Sequence, residues 1–236
     1  MIQNIKIGQL VRMNQKYANV FLSYNIDFCC GGNRTLEEAI LECGANRTEV
    51  IAALKSSVEE KITNLNFDNL NFEELINHII SFHHEYIYKE SDKTLQLLNK
   101  VVKVHLESHP ELLRVQEITT HIIDELLLHQ RKEENILFPY IIAMDHAKAN
   151  HEQVPDSCFG DIRNPIRAME ADHVATGDIL MELKAITNNF TPPADACNSY
   201  ITTYSRLNDL FNNLIQHIHL ENNILHPKAI ERFNNK

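Results

Sequence analysis

His129 and Glu133 pair an imidazole with a carboxylate four residues apart, and His217 and Glu221 do so again. The segments HQRKEENILFP (129–139) and HIHLENNILHP (217–227) share the frame H-x-x-x-E-x-N-I-L-x-P at a constant offset of 88 residues. Such a repeat points to two related halves. A spacing of four puts both side chains on one helix face about a turn apart, where they can grip one centre together. Imidazole nitrogen and carboxylate oxygen suit iron, zinc or manganese.

Those pairs have chemical meaning only if their helices turn them inward. On the helix entered through Pro110, Ile118, Ile122, Leu126, His129, Glu133, Ile136 and Tyr140 step by three or four and keep one face. Thr203, Leu207, Leu210, Leu214, His217, Glu221 and Ile224 do the same further on. Two more stripes each carry one histidine: Ile76, Ile80, His84 and Ile87, then Ile166, Met169, His173 and Leu180. His83 is the rival of His84, pointing about 100° away. His219 and His226 fall off the inward stripe and are expected at the surface. His105 is ambiguous: a group supporting the ligands, a substitute ligand, or an exposed residue.

A lone histidine on an apolar stripe is ordinarily a hydrogen-bonded core residue. Two buried glutamates and four buried histidines are different, because an ionised carboxylate in a core is costly unless something compensates it. Metal ions would supply that compensation. Two carboxylates able to bridge and four terminal imidazoles suit two metals better than one, as in bundles whose facing helices hold di-iron sites.

The elements that must position these groups are four long helices, over about 72–106, 110–145, 165–187 and 195–232. The third has Asn164 as expected N-cap and Pro165 as first helical residue. Conspicuous loops fall at 145–163 and 187–197. This predicts an all-α chain built on a four-helix bundle, residues 72–236. Residues 1–61 read as a small helical domain, with a helix in KYANVFLSYNI, another opened by Thr35 and Glu38 as a capping box and stopped by Gly44, and a third in NRTEVIAALKSSVEE. The Asn-rich stretch 62–71 reads as a linker.

In the small domain, DFCCGG sets Cys29 beside Cys30, followed by two flexible glycines. The pair reads either as small residues packed at a helix end or as an accessible thiol pair, for redox work or for holding a metal or cluster in transit. Five cysteines do not make a disulfide framework, and Cys43, Cys158 and Cys197 stand apart. Gly and Pro are scarce (6 and 7), which argues against an all-β fold. The net charge of −10 argues against nucleic acid or an anionic membrane as partner. No apolar run reaches 18 residues and no signal-peptide pattern opens the chain, so a cytoplasmic protein is expected.

Taken together, NIDFCCGGNRTLEEA, the two repeated phrases and NNFTPPADAC resemble the iron-sulfur cluster repair family, the di-iron proteins described as repairing iron centres. The resemblance implies a haemerythrin-like bundle behind a short cysteine-pair domain. It implies two non-haem iron ions, bridged by oxygen and carboxylates, on His84, His129, Glu133, His173, His217 and Glu221. The family's second histidine on the first helix corresponds to Ile87 here. The implied role is repair of clusters damaged by oxidative or nitrosative stress, by iron donation to iron-sulfur client proteins, in a cytoplasmic protein often found as a homodimer. Nitric oxide reduction is the enzymatic alternative. Reversible oxygen or nitric oxide binding is a second alternative, and usually goes with a site richer in histidine. A ferritin-like oxidase would use Glu-x-x-His phrases instead. A purely structural bundle would carry no metal.

Overall fold

The computed structural model describes residues 2–57 and 67–234. The carboxyl-terminal end of the third small-domain segment and positions 62–66 of the expected linker lie outside the described residues. The chain is all-α: among the described residues there is no strand, only an isolated antiparallel bridge between Lys6 and Thr35. Two compact units are formed, Met1–Leu75 together with Ile218–Lys236, and Ile76–His217.

In the first unit, α1 (Ile7–Met13), α2 (Lys16–Ser23), α3 (Leu36–Cys43) and α4 (Arg47–Ser57) form the small helical domain, with α1 on α2, and α4 against both α2 and α3. Helix α3 begins and ends as its sequence dictates. The Thr35 side chain accepts from Glu38 N, Glu38 reaches back to Thr35 N, and Gly44 takes the left-handed conformation (φ 68°) that relieves a C-terminus. Phe67–Asn69 is a short 3-10 turn. Ile7, Leu10, Phe21, Phe28, Leu36, Val50 and Leu54 are buried, each worth about 1.5–3 kcal/mol on removal from water.

The long helices follow. The first is α5 (Phe72–Ile79), a π turn over Ile80–His84, then α6 (Glu85–His105). The second is α7 (Leu112–Lys132), a π turn over Glu133–Leu137, then α8 (Phe138–Ala149), which runs past the expected end near 145. The third is α9 (Arg163–Ile186). It starts ahead of the expected N-cap: Asn164 is already helical and its Nδ2 donates to the Phe159 carbonyl (3.0 Å). Pro165 is tolerated there because N–H groups of the first turn have no helical acceptor. The fourth is α10 (Asn198–Leu220), a π turn over Glu221–Leu225, then α11 (His226–Asn234). In the second unit α6 packs on α7 and α7 on α9. The Arg206–Glu90 ion pair (2.7 Å) and the His83–Asn213 contact (3.2 Å) join α10 to the first long helix.

The π turns correct one stripe. Ile136, expected inward, is 47% exposed and Tyr140 is only half-buried, while Leu137, Phe138, Ile141 and Met144 are buried. A π turn holds one extra residue, so everything after it is rotated by about 100° from the uninterrupted pattern.

Candidate metal centre

Each long helix delivers one of the four inward histidines to a buried position. His84, His129, His173 and His217 are all buried, and Glu133 and Glu221 are wholly so. His84 ends the first π turn, and Glu133 and Glu221 each begin one. The phrase written twice in the sequence therefore takes the same unusual backbone twice.

Within the second unit the donors converge in two pairs. His84 Nε2 lies 3.2 Å from His217 Nε2, and His129 Nε2 lies 3.0 Å from His173 Nε2. The Glu133 carboxylate reaches toward both pairs: Oε1 is 3.1 Å from His129 Nε2 and Oε2 is 3.5 Å from His84 Nε2. Helix α10 runs unbroken through His217, and Glu221 follows one turn later. His84, Glu133 and His217 each offer a ligand atom within 4.8 Å of the others, and so do His129, Glu133 and His173. Five of the six residues read from the stripes are thus brought together within the second unit, in two groups that share Glu133.

Two carboxylates orient this set, and neither was singled out in the sequence. His84 Nδ1 donates to Glu134 Oε1 (2.7 Å), and His129 Nδ1 to Asp172 Oδ2 (3.3 Å). A carboxylate only accepts, so the ring proton sits on Nδ1 and the Nε2 lone pair faces inward. Carboxylate–histidine couples of this kind fix the tautomer of metal-binding imidazoles. The signal was adjacency: each acid directly follows or precedes a ligand candidate, Glu134 after Glu133 and Asp172 before His173.

The donor set fits a cation. Neither Glu133 oxygen accepts a hydrogen bond, although the residue is completely buried. A carboxylate so placed needs positive charge near it. A cavity of about 270 Å³ lies between α7 and α9, lined by His121, Leu126, His129, Asp172, His173 and Thr176 among others, and gives a small molecule access to the His129–His173 pair.

The remaining candidates fall elsewhere. His83 is buried as His84 is, but its Nδ1 meets Asn213 Oδ1 and its ring stacks 5.6 Å from that of His217. Ile87 is fully buried. His105 belongs to neither ligand group: its Nε2 is 3.2 Å from Cys197 Sγ, and its ring lies by those of His109 and Tyr200. His219 and His226, expected at the surface, are buried. The reason for His219 lies in the first unit, where the Phe28 ring meets it edge-on at 5.4 Å and Asn223 lies 3.2 Å from its Nδ1. Burial pushes its pKa down to about 3. Cys29 is buried and Cys30 half-buried, with their sulfurs 3.8 Å apart.

Comparison with known proteins finds two matches along the chain. Residues 75–229 match the haemerythrin HHE cation-binding domain, and residues 3–58 match a domain of unknown function, DUF542. A probable iron-sulfur cluster repair protein of Haemophilus influenzae is 34% identical over 227 residues, spanning 95% of this chain and 96% of its own. The iron-sulfur cluster repair protein YtfE of an Enterobacter species is 32% identical, with the same coverage. The iron-sulfur cluster repair protein ScdA of Staphylococcus haemolyticus is 32% identical over 211 residues, 89% of this chain and 91% of its own. No described helix is long and apolar enough to cross a membrane.

Proposed function

The chain belongs to the iron-sulfur cluster repair family, with a haemerythrin-type cation-binding domain, and from that premise we propose that it holds two non-haem iron ions and supports repair of damaged iron-sulfur clusters by donating iron. One observation carries the reading: the two oxygens of buried Glu133 point to different histidine pairs. A carboxylate so placed would suit bridging two ions, with His84, His129, His173 and His217 as terminal imidazoles and Glu221, one turn after His217, as the second carboxylate.

When bound there, ferrous ions supply iron that can be surrendered and electrons for a small diatomic ligand. The chain's own residues do the rest. Glu134 and Asp172 hold a proton on Nδ1 of His84 and His129, which keeps each Nε2 available to a cation. The apolar residues around the pairs, Leu126 and Phe138 among them, keep bulk water from competing for the donors.

The reading includes residues 1–61 as a separate cysteine-pair domain, 62–71 as a linker and 72–236 as the metal-binding domain, in keeping with the matched spans 3–58 and 75–229. It includes cytoplasmic residence, iron-sulfur proteins as clients under oxidative or nitrosative stress, an oxygen bridge between the ions, and a homodimer. Reduction of nitric oxide is the second reading, favoured by the cavity that reaches His129 and His173.

The test is iron content and transfer. The wild type is expected to carry about two irons per chain and to restore activity to a cluster-depleted iron-sulfur enzyme. A Glu133→Ala/Glu221→Ala double variant is expected to do neither. Iron retained by that variant refutes the site. Iron lost together with undiminished repair refutes the donation role. Nitric oxide consumed catalytically with a reductant, without net iron loss, favours the second reading.

A further inference from the structure

The loop carrying the cysteine pair is a built structure. The Asp27 carboxylate folds back over it: Oδ1 accepts from Cys29 N (3.1 Å) and Cys30 N (3.0 Å), and Oδ2 from Gly31 N (2.8 Å). Arg34 closes the other side, donating to the Gly31 and Asp27 carbonyls, with its Nη2 3.7 Å from Asp27 Oδ2. From below, Asn222 and Asn223 donate to the Cys29 carbonyl, and Asn223 also to that of Phe28. Gly32 is required by this approach. A Cβ there would lie 2.0 Å from Asn223 Oδ1.

This scaffold holds two sulfurs and a carboxylate together. The sulfurs are 3.8 Å apart, Cys29 Sγ is 3.2 Å from Asp27 Oδ1, and the three residues offer ligand atoms all within 4.8 Å. Two thiolates on one tetrahedral ion with bonds of about 2.3 Å stand about 3.75 Å apart, and a thiolate and a carboxylate oxygen about 3.5 Å. The sulfur–sulfur spacing matches the bite of a single ion, and the Cys29–Asp27 spacing is about 0.3 Å short of it. Neither cysteine is in a disulfide, so the chelate is not committed to one.

The geometry points to a second metal site on this chain: Asp27, Cys29 and Cys30 bind one thiophilic divalent ion, with the fourth position open on the Cys30 side. It stands on these residues alone and does not depend on which metal the bundle holds. The charges close. Two thiolates and a carboxylate carry −3, the ion +2, and Arg34 +1. Binding displaces the two thiol protons to solvent. Affinity therefore climbs with pH. The half-buried Cys30 leaves an open face, which suits an ion that is passed on rather than locked in.

Cobalt(II) is the probe, added to the reduced full-length protein under a non-chelating phosphine. Sulfur-to-cobalt charge transfer gives near-ultraviolet absorption, and the bundle groups contain no sulfur, so cobalt bound there is silent in that band. One equivalent showing the band is expected, with the band growing as pH rises. Cys29→Ser and Cys30→Ser should each abolish it. Asp27→Asn should weaken binding by about tenfold or more. The partly exposed Cys30→Ser change is the variant least able to disturb folding, and circular dichroism checks it. No band in the wild type, or an undiminished band in Cys30→Ser, overturns the site. A band of unchanged affinity in Asp27→Asn overturns the three-donor assignment.

Discussion

Replacing Glu133 by leucine should stabilise the protein without metal and destabilise it with metal. Glu133 is fully buried and neither of its oxygens accepts a hydrogen bond, so in the metal-free protein it is a buried polar group whose desolvation no hydrogen bond offsets. Exchange of such a group for an apolar side chain of similar size is often stabilising, by about 1–4 kcal/mol. In a chain of 236 residues each kcal/mol moves Tm by about 2–4 °C. A central value of ~2 kcal/mol then gives a rise of roughly 4–8 °C in the presence of chelator. With ferrous iron at a hundred times its dissociation constant the wild type gains about 2.7 kcal/mol from one site. The leucine variant, lacking a ligand common to both groups, loses most of that gain, so the order of the two melting curves reverses. Calorimetry on both proteins, in chelator and under anaerobic ferrous iron, reads this directly. A leucine variant that melts below the wild type in chelator would refute the reasoning, because Glu133 would then be a packing residue already satisfied without metal.

Glu134→Gln and Asp172→Asn should each weaken iron binding by about 10–100-fold while leaving helix content unchanged, measured by competition with a chelator of known affinity. The Cys197 thiol is held below the usual cysteine range, first by the backbone N–H of Tyr200 and then by His105. Its alkylation, followed by mass spectrometry of the modified peptide, should accordingly reach half-maximal rate at lower pH than an ordinary thiol. His105→Ala should move that midpoint up only in part, since the helix-terminal N–H groups remain. Deleting Ile136, the exposed residue of the second π turn, should restore an uninterrupted α-helix with both flanking registers intact. The Tm in chelator should then stay within a few degrees of wild type while iron binding at Glu133 is lost; retention of full iron content would show that the π turn has no part in presenting the ligand.

Much of this architecture was legible because burial dominates. The steps of three and four through Thr203, Leu207, Leu210, Leu214, His217, Glu221 and Ile224 select seven buried residues. Once a stripe of leucines fixes the phase of a helix, polar residues caught on it must face the core as well. The same logic located Thr35, Glu38 and Gly44, whose roles are local and need no knowledge of the rest of the chain. It failed where the cause was not local. His219 lies off the stripe of its own helix, yet Phe28, almost two hundred residues earlier, lies against it. No periodicity carries that information.

The other failure, at Ile136, bears on how the site is made. A stripe argument assumes 3.6 residues per turn throughout, and three long helices depart from that where they carry His84, Glu133 and Glu221. Helix α9, which supplies a single histidine and no carboxylate, has no such turn along its length. A π turn gives up regular i→i−4 hydrogen bonds, a cost that a purely structural helix has no reason to carry and that is found mainly at functional sites. The repeated phrase therefore encodes two things at once. Its His and Glu are the donors, and its constant Asn-Ile-Leu-x-Pro tail spans the turn in which the backbone gains a residue. That tail lets one face carry ligands before the turn and a closely packed apolar surface after it, as Leu137, Phe138 and Ile141 show in the first copy. This is why the resemblance between the two copies extends past the ligands themselves.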